Sequence, residues 1–294
     1  MCGRGVVHAS GAHVNRVSKA ASGKNATCGG TAVLDDEQVC AHNYNYHPGQ
    51  TCPVLVLKTH HDGTTRVCEL QNKQWGLVPR FTRLDEDEKP NFFKMFNARS
   101  ESVDSKPSFK QLVNTHRGVV LFSGYYEWMT PPGSSQKHKQ PYYVHRTSDE
   151  PLALAAIYDQ CGELATFTIL TTDSTRSAVS WLHDRMPVIL RDDESIRKWM
   201  DVSQPLPYEL LGPYTEKDLE AFKVTSDVGN MKLNHPRCCE PLKTKAVSES
   251  AIAKLFAKKK VASPTAKRER DDDDDEGAAA AAPESAKVKR EKVD

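Results

Sequence analysis

Nowhere does this chain carry an apolar run near the ~18 residues that a membrane-crossing helix needs, and its first residues form no apolar leader. A soluble protein is therefore expected, with no membrane partner. Net charge is almost missing as well: 40 Lys and Arg stand against 39 Asp and Glu, and residues 245–294 take 12 and 11 of these, leaving a neutral body. Any affinity for nucleic acid must then come from a local patch. The 8 cysteines lack the regular spacing of a disulfide framework, which fits a reducing compartment. His235, Cys238 and Cys239 have no second cysteine pair at a zinc-binding distance. No metal or other cofactor is expected. Asn25-Ala26-Thr27 spells a glycosylation acceptor, which has no meaning without secretion.

What is present begins at the first four residues, Met1-Cys2-Gly3-Arg4. An initiator methionine is removed when the next side chain is small, so the mature chain should begin at Cys2. Cys2 would then hold a free amine beside its thiol, with ordinary pKa values near ~8 and ~8.5. An aldehyde is captured by such an amine as an imine, and the thiol closes on the imine carbon to give a five-membered thiazolidine. Serine gives a less stable ring, and an internal cysteine lacks the amine. For an arbitrary protein, a cysteine at position 2 is an accident of a frayed terminus. Gly3, which allows close backbone approach, and the downstream clusters favour the chemical reading.

The remaining pattern is mixed. Val6 and Val7 start a strand, a helix is expected over Val14–Ala20, and Asn45–Gln50 reads as a turn before an apolar strand over Pro53–Leu57. Thr64–Leu70 is a further strand, followed by Trp75-Gly76-Leu77-Val78-Pro79. In Phe96-Asn97-Ala98-Arg99-Ser100-Glu101, an extended backbone puts Asn97, Arg99 and Glu101 on one face. Taken alone, the polar rim of a half-buried strand explains that trio. A helix is expected over Ser108–His116, then one buried strand from Val119 to Trp128. Glu127 is its odd residue: between Tyr126 and Trp128 a carboxylate is poorly solvated, which suits proton transfer. A solvent-facing position at the strand end is the alternative.

Three apolar strands follow, over Tyr142–His145, Leu152–Tyr158 and Thr166–Thr172, and Ser174 can cap a short helix through Trp181. His183-Asp184-Arg185-Met186-Pro187 then sets ionisable groups directly before a buried strand, and His183 suits a general acid or base. A lone histidine is more often structural. Asp192-Asp193-Glu194 opens a helix through Met200, residues 203–217 form a loop with room for a short helix, and Phe222–Ser226 is a last strand.

Taken together, these segments resemble the SRAP family, named for SOS-response-associated peptidases. The matching pieces are Met1-Cys2-Gly3-Arg4, Trp75 to Pro79, Asn97 to Glu101, Gly124-Tyr125-Tyr126-Glu127-Trp128 and His183 to Pro187, in family order across residues 2–242. Asn45–Gln50 looks like a divergent form of a further family turn, and the 10–31 stretch has no assignable counterpart. The resemblance implies an α+β fold with a curved, barrel-like β core and flanking helices, and a groove for single-stranded DNA. It implies covalent capture of abasic sites by Cys2, with Asn97 bonding the thiazolidine, Glu127 moving protons near the Cys2 amine, and His183 assisting Schiff-base formation or ring opening. Arg4, Arg99 and Arg185 become candidates for phosphate contacts, and Trp75 for a wall against which DNA bends or stacks. A monomer is expected. The competing class is a thiol peptidase with Cys2 as nucleophile, His183 as base and Glu127 as orienting group, including removal of Met1. A reader of modified bases in duplex DNA is a third class that no residue here argues for.

From residue 243 onward the chain is expected to be a disordered tail, low in large apolar residues. Ile252, Leu255 and Phe256 before Lys258-Lys259-Lys260 resemble a sliding-clamp peptide, with Glu249 where glutamine is usual; a plain amphipathic turn is the alternative. Basic clusters at 258–260, 267–268 and 287–292 point to nuclear import, and the acidic run Asp271–Glu276 to solvation.

Overall fold

The computed structural model describes residues 3–7, 10–22, 42–59, 66–84, 89–130, 139–148 and 150–243. Cys2, the 23–41 segment and the whole of 244–294, including the clamp-like peptide and the basic clusters, lie outside the described residues. One compact unit runs through Lys243.

Alternation builds the core. In β3 (Thr51–Thr59), Val54 and Val56 fall in one buried cluster while Leu55 and Leu57 fall in another. The same split separates Val120 and Phe122 from Val119 and Leu121 in β6 (Arg117–Phe122), and Leu154 and Ala156 from Ala155 and Ile157 in β9 (Leu152–Cys161). Strands apolar on both faces need cover on both, and the sheet supplies one cover by closing on itself. β3 pairs β4 (Arg66–Trp75) and β6, β6 pairs β9, and β10 (Leu164–Asp173) pairs both β9 and β4, which completes a ring. This is the curved β core of an α+β protein.

The outer face carries the helices, three among the described residues: α1 (Gly11–Ser22), α2 (Pro107–Thr115) and α3 (Asp193–Met200). They lay Val14, Val17, Phe109, Val113, Ile196 and Trp199 onto the outward row of strand residues. α3 starts where expected, because the Asp192 carboxylate accepts from the Ser195 amide at 2.7 Å, a cap worth about 0.5–2 kcal/mol.

A second sheet lies against the ring's inner residues, with β1 (Gly5–Val7) and β2 (Asn43–Tyr46) at one side and β7 (Gly124–Met129), β8 (Gln140–Arg146) and β13 (Leu219–Lys223) at the other. Tyr46, Tyr125, Tyr142 and Val144 from this sheet share a cluster with Val54, Trp75 and Phe167 of the ring.

Two expectations are corrected here. The run Val119–Trp128 is not one strand: it breaks at Ser123, β6 stays in the ring and β7 joins the second sheet. Tertiary contacts impose the break, since the Ser123 amide donates to the Val6 carbonyl and a Cβ on Gly124 would stand 2.5 Å from the Val144 carbonyl oxygen. Ser174–Trp181 is a set of turns rather than a helix. The Ser174 amide donates to the Asp184 carbonyl at 3.1 Å and its hydroxyl to the His183 carbonyl, so this segment is tied to its own far end. The last strand lies at Leu219–Lys223, slightly earlier than expected.

Candidate functional site

β10 carries the site on both its edges. Along one edge, in continuation of β4, runs the short β5 (Asn97–Arg99), with Ile169 opposite Asn97 and Thr171 opposite Arg99. Along the other, beyond β9, runs β11 (Arg185–Pro187), with Thr171 opposite Pro187 and Asp173 opposite Arg185. Asn97, Arg99 and the His183–Arg185 segment, far apart in sequence, are thereby set around one strand end.

Glu127 arrives from the second sheet. Along β7, Tyr125 and Met129 pack with the inner cluster, whereas Tyr126 and Trp128 pack on the outer face with Val6, Tyr143 and Val228. Glu127 therefore looks inward with Tyr125, away from its sequence neighbours, and is 4% exposed. Its Oε1 accepts weakly from the Trp128 amide at 3.3 Å and lies 4.0 Å from His183 Nε2. Burial and an imidazole thus meet at this carboxylate, and the residues that shield it are not Tyr126 and Trp128, the two the sequence suggested.

His183 is held through its other nitrogen. Nδ1 lies 3.0 Å from the Arg185 amide, which needs a lone pair there, and 2.7 Å from Asp184 Oδ1, which needs a proton there. The amide and the carboxylate thus compete for Nδ1, while Nε2 faces Glu127.

The arginines divide. Arg185 is held by Glu101 through both carboxylate oxygens, at 2.5 and 3.0 Å, and by the Thr171 carbonyl at 2.7 Å. Glu101 sits in a 3-10 turn after β5, so it reaches Arg185 from outside the alternation assumed for it. Burial raises the Glu101 pKa, but the Arg185 hydrogen bonds and charge overcome this and hold it below the usual carboxylate range. Arg4 lies on the outer face over the Trp128 ring, 5.9 Å from its centroid, and donates to Asn45 Oδ1 and to the Val228 and Gly229 carbonyls. Both guanidiniums act as internal fasteners here. Arg99 is exposed and enters no ion pair among the described residues.

Trp75 requires a correction. It is 0% exposed, sandwiched between Tyr46 at 5.7 Å and Phe167 at 6.4 Å, so it offers no face to a ligand. Its indole N–H donates to the Phe96 carbonyl at 2.8 Å, which fixes the residue before Asn97. Gly76 after it has φ +114°, and a Cβ there would strike the Phe92 backbone, so the chain can turn toward Phe96 only with glycine at this position.

The start of the chain is directed at the same place. Gly5 pairs with Tyr125, Val6 with Gly124, and the Tyr126 amide donates to the Arg4 carbonyl at 3.0 Å. Continued by one residue, this register brings Gly3 level with Glu127. A hollow of about 280 Å³, lined by Pro79, Arg83, Leu84, Lys89, Lys94 and Met95, lies along the stretch leading into β5. Among the described residues, no group of three His, Cys, Asp or Glu side chains could hold a metal ion.

The family SRAP, SOS response associated peptidase, matches residues 1–231 of this chain. The chain belongs to the SRAP family. The abasic site processing protein HMCES of Gallus gallus is 34% identical over 231 residues, which are 68% of this chain and 66% of that protein. YoqW of Bacillus subtilis, also called an abasic site processing protein, is 33% identical over 206 residues, covering 67% of this chain and 85% of that one. Just under two thirds of the length of the chicken relative is thus matched. Among solved structures, a protein from Bacteroides thetaiotaomicron has a TM-score of 0.61 at 23% identity, covering 82% of this chain and 100% of that one. A phage-related protein from Bordetella bronchiseptica has a TM-score of 0.53 at 24% identity, covering 76% and 94%. These two show the fold alone.

One exposed aromatic of this site escaped the sequence reading. Trp181, 52% exposed, stands edge-on to Tyr142 at 5.1 Å, and Tyr142 is the cross-strand partner of Glu127. Its place two residues before His183 was the only available signal.

Proposed function

We propose that this SRAP protein processes abasic sites in single-stranded DNA by forming a covalent adduct through Cys2. The observation that carries the reading is the buried Glu127 with His183 Nε2 at 4.0 Å, at the level to which the register of β1 directs the chain start. Membership of a family whose relatives are called abasic site processing proteins supports it.

An abasic deoxyribose opens to an aldehyde. The Cys2 amine adds to this carbonyl and, after loss of water, leaves an imine; the thiol then adds across the carbon–nitrogen double bond, its proton passing to nitrogen. One aldehyde and one aminothiol give one thiazolidine and one water. Glu127 takes the proton that the amine must shed, and His183 Nε2 is on hand to protonate the departing oxygen. Ring closure removes the iminium that would otherwise acidify C2′ and cleave the strand by β-elimination. Asn97 bonds the adduct, and exposed Arg99 meets a phosphate. Arg83, Lys89 and Lys94 around the neighbouring hollow extend the positive surface that a neutral body otherwise lacks.

A peptidase reading has one favouring observation, the peptidase in the family's name. With Cys2 as nucleophile and His183 as base it would cleave an amide rather than trap an aldehyde. Nuclear import through the basic clusters of the tail, clamp binding through Ile252, Leu255 and Phe256, and a monomeric state belong to the same proposal. Changing Ile252 and Phe256 to alanine should abolish clamp pull-down.

The deciding experiment is incubation with a labelled single-stranded oligonucleotide bearing one abasic site, beside duplex and undamaged controls, on a denaturing gel. A denaturation-resistant band is expected with the abasic single strand alone and not with Cys2→Ala. Cys2→Ser should lose the stable band while keeping some strand cleavage. No band from a chain confirmed to begin at Cys2 would turn the assignment toward the peptidase.

A further inference from the structure

Large aromatic side chains left half in water cost burial energy unless something covers them. Among the described residues Trp181, Phe81, Phe93 and Tyr208 are the aromatics in this position. Tyr208 has a partner, donating its hydroxyl to Asp104 at 2.8 Å. Trp181 differs from the others in what lies beneath it. Its ring meets Tyr142 edge-on, with an interplanar angle of 80° and 5.1 Å between centroids. Tyr142 is 6% exposed and directly opposite Glu127 across the β7–β8 ladder, so the two side chains share a face. Two residues on from Trp181, His183 sets its Nε2 4.0 Å from the same Glu127. Trp181 therefore stands one tyrosine away from Glu127, on the side from which His183 approaches it.

The turns hold the ring in place. Leu182 donates its amide to the Val179 carbonyl at 3.0 Å, and Val179 and Leu182, at 4% and 6% exposure, flank the tryptophan as anchors in the inner cluster. With its neighbours buried and one edge against Tyr142, the indole is preorganised and still offers a face to solvent. That is the arrangement of a stacking platform for a flat, uncharged ring.

From this geometry we infer that Trp181 is a specificity-determining residue that stacks on a nucleobase adjoining the abasic position in single-stranded DNA. The inference rests on the proposed function and deepens it. An abasic site offers no base of its own to hold, so affinity near the lesion must come from phosphates and from neighbouring bases. A base beside the lesion in a duplex is held in place by its pairing partner and its one remaining stacked neighbour, whereas a single strand can swing one onto Trp181. The tryptophan would thereby favour single strands without reading sequence, because every base has such a face.

The test uses full-length protein and fluorescence anisotropy with two unreactive single strands. Each has a tetrahydrofuran abasic analogue at the centre; in one its neighbours are bases, in the other the neighbours on both sides are also tetrahydrofuran. Trp181→Ala is expected to raise the Kd for the base-flanked strand by roughly 5- to 140-fold, the range of one base–aromatic stack. Trp181→Phe should recover most of the loss. On the tetrahydrofuran-flanked strand wild type and Trp181→Ala should bind alike. Equal affinity of the two proteins for the base-flanked strand would overturn the inference, as would an equal loss on both strands, which marks a structural role. Adduct formation by wild type with a true abasic site is scored separately, so loss of the covalent reading and loss of the stacking role are told apart.

Discussion

Trp75 and Trp181 show how one residue type takes opposite roles by position. Trp75, at the end of β4, is walled in by four rings, and its one polar atom is spent on the Phe96 carbonyl. Trp75→Phe would remove one of the two donors to that carbonyl, the Ile169 amide at 3.3 Å remaining, a loss of about 0.5–1.5 kcal/mol before any cavity cost. Urea unfolding should show this, and adduct formation should slow because Asn97 follows Phe96 directly. Glu101 and Arg185 give a pH signature. The Glu101 pKa is lower in the folded chain than its ordinary 4.5, so its contribution to stability is present above that pH and disappears as pH falls through the folded value. Melting temperatures followed into acid should drop along a shallower slope in Glu101→Gln than in wild type. Neither tryptophan's role was legible in sequence, since hydrophobicity alone does not say which aromatic is enclosed. Asn97, Glu127 and His183 stood out as polar groups among apolar strands, but the residues alone left a polar rim, a solvent-facing carboxylate and a structural histidine open, and only the family resemblance offered them roles.

At the level of elements, periodicity located nearly every strand and helix, and failed where one segment's fate depends on another far away. Val119–Trp128 has only Ser123, Gly124 and Glu127 to interrupt its apolar run, yet it must serve two sheets. What divides it is the Ser123 bond to Val6 and the lack of space at Gly124, whose Cβ would press on the Tyr143 ring and the Val144 carbonyl. Gly124→Ala should therefore destabilise by about 1–3 kcal/mol, typical of overpacking, as denaturant titration would show. A neutral result would mean that β7 can shift away from β8 without cost. Ser174–Trp181 misled for a related reason: serine is a good helix cap, but here its hydroxyl and amide close a loop onto residues 183 and 184. That closure sets both Trp181 and His183.

Across the whole molecule the site is assembled from segments far apart in the chain. β10 unites β5 with β11, and the second sheet brings β1 against β7. The farthest of these ties is the fastening of Arg4 to the Val228 and Gly229 carbonyls, which spans 224 residues of sequence in the first case. Contacts of such separation form late in folding. In ribosome-bound chains stalled short of Val228, the amides of β1 are expected to exchange with solvent freely, while released chains protect them; early protection in the stalled chains would show that β1 docks without Arg4's partners.

That order has a meaning for a newborn protein. Arg4 leaves the ribosome long before Val228 does, so its fastening comes almost last. On the proposed function, the residues before it would stay open to methionine trimming until then, and an aldehyde arriving in that interval would meet Cys2 before Glu127 and His183 were in place around it. Translation itself would separate the maturation of Cys2 from its arming.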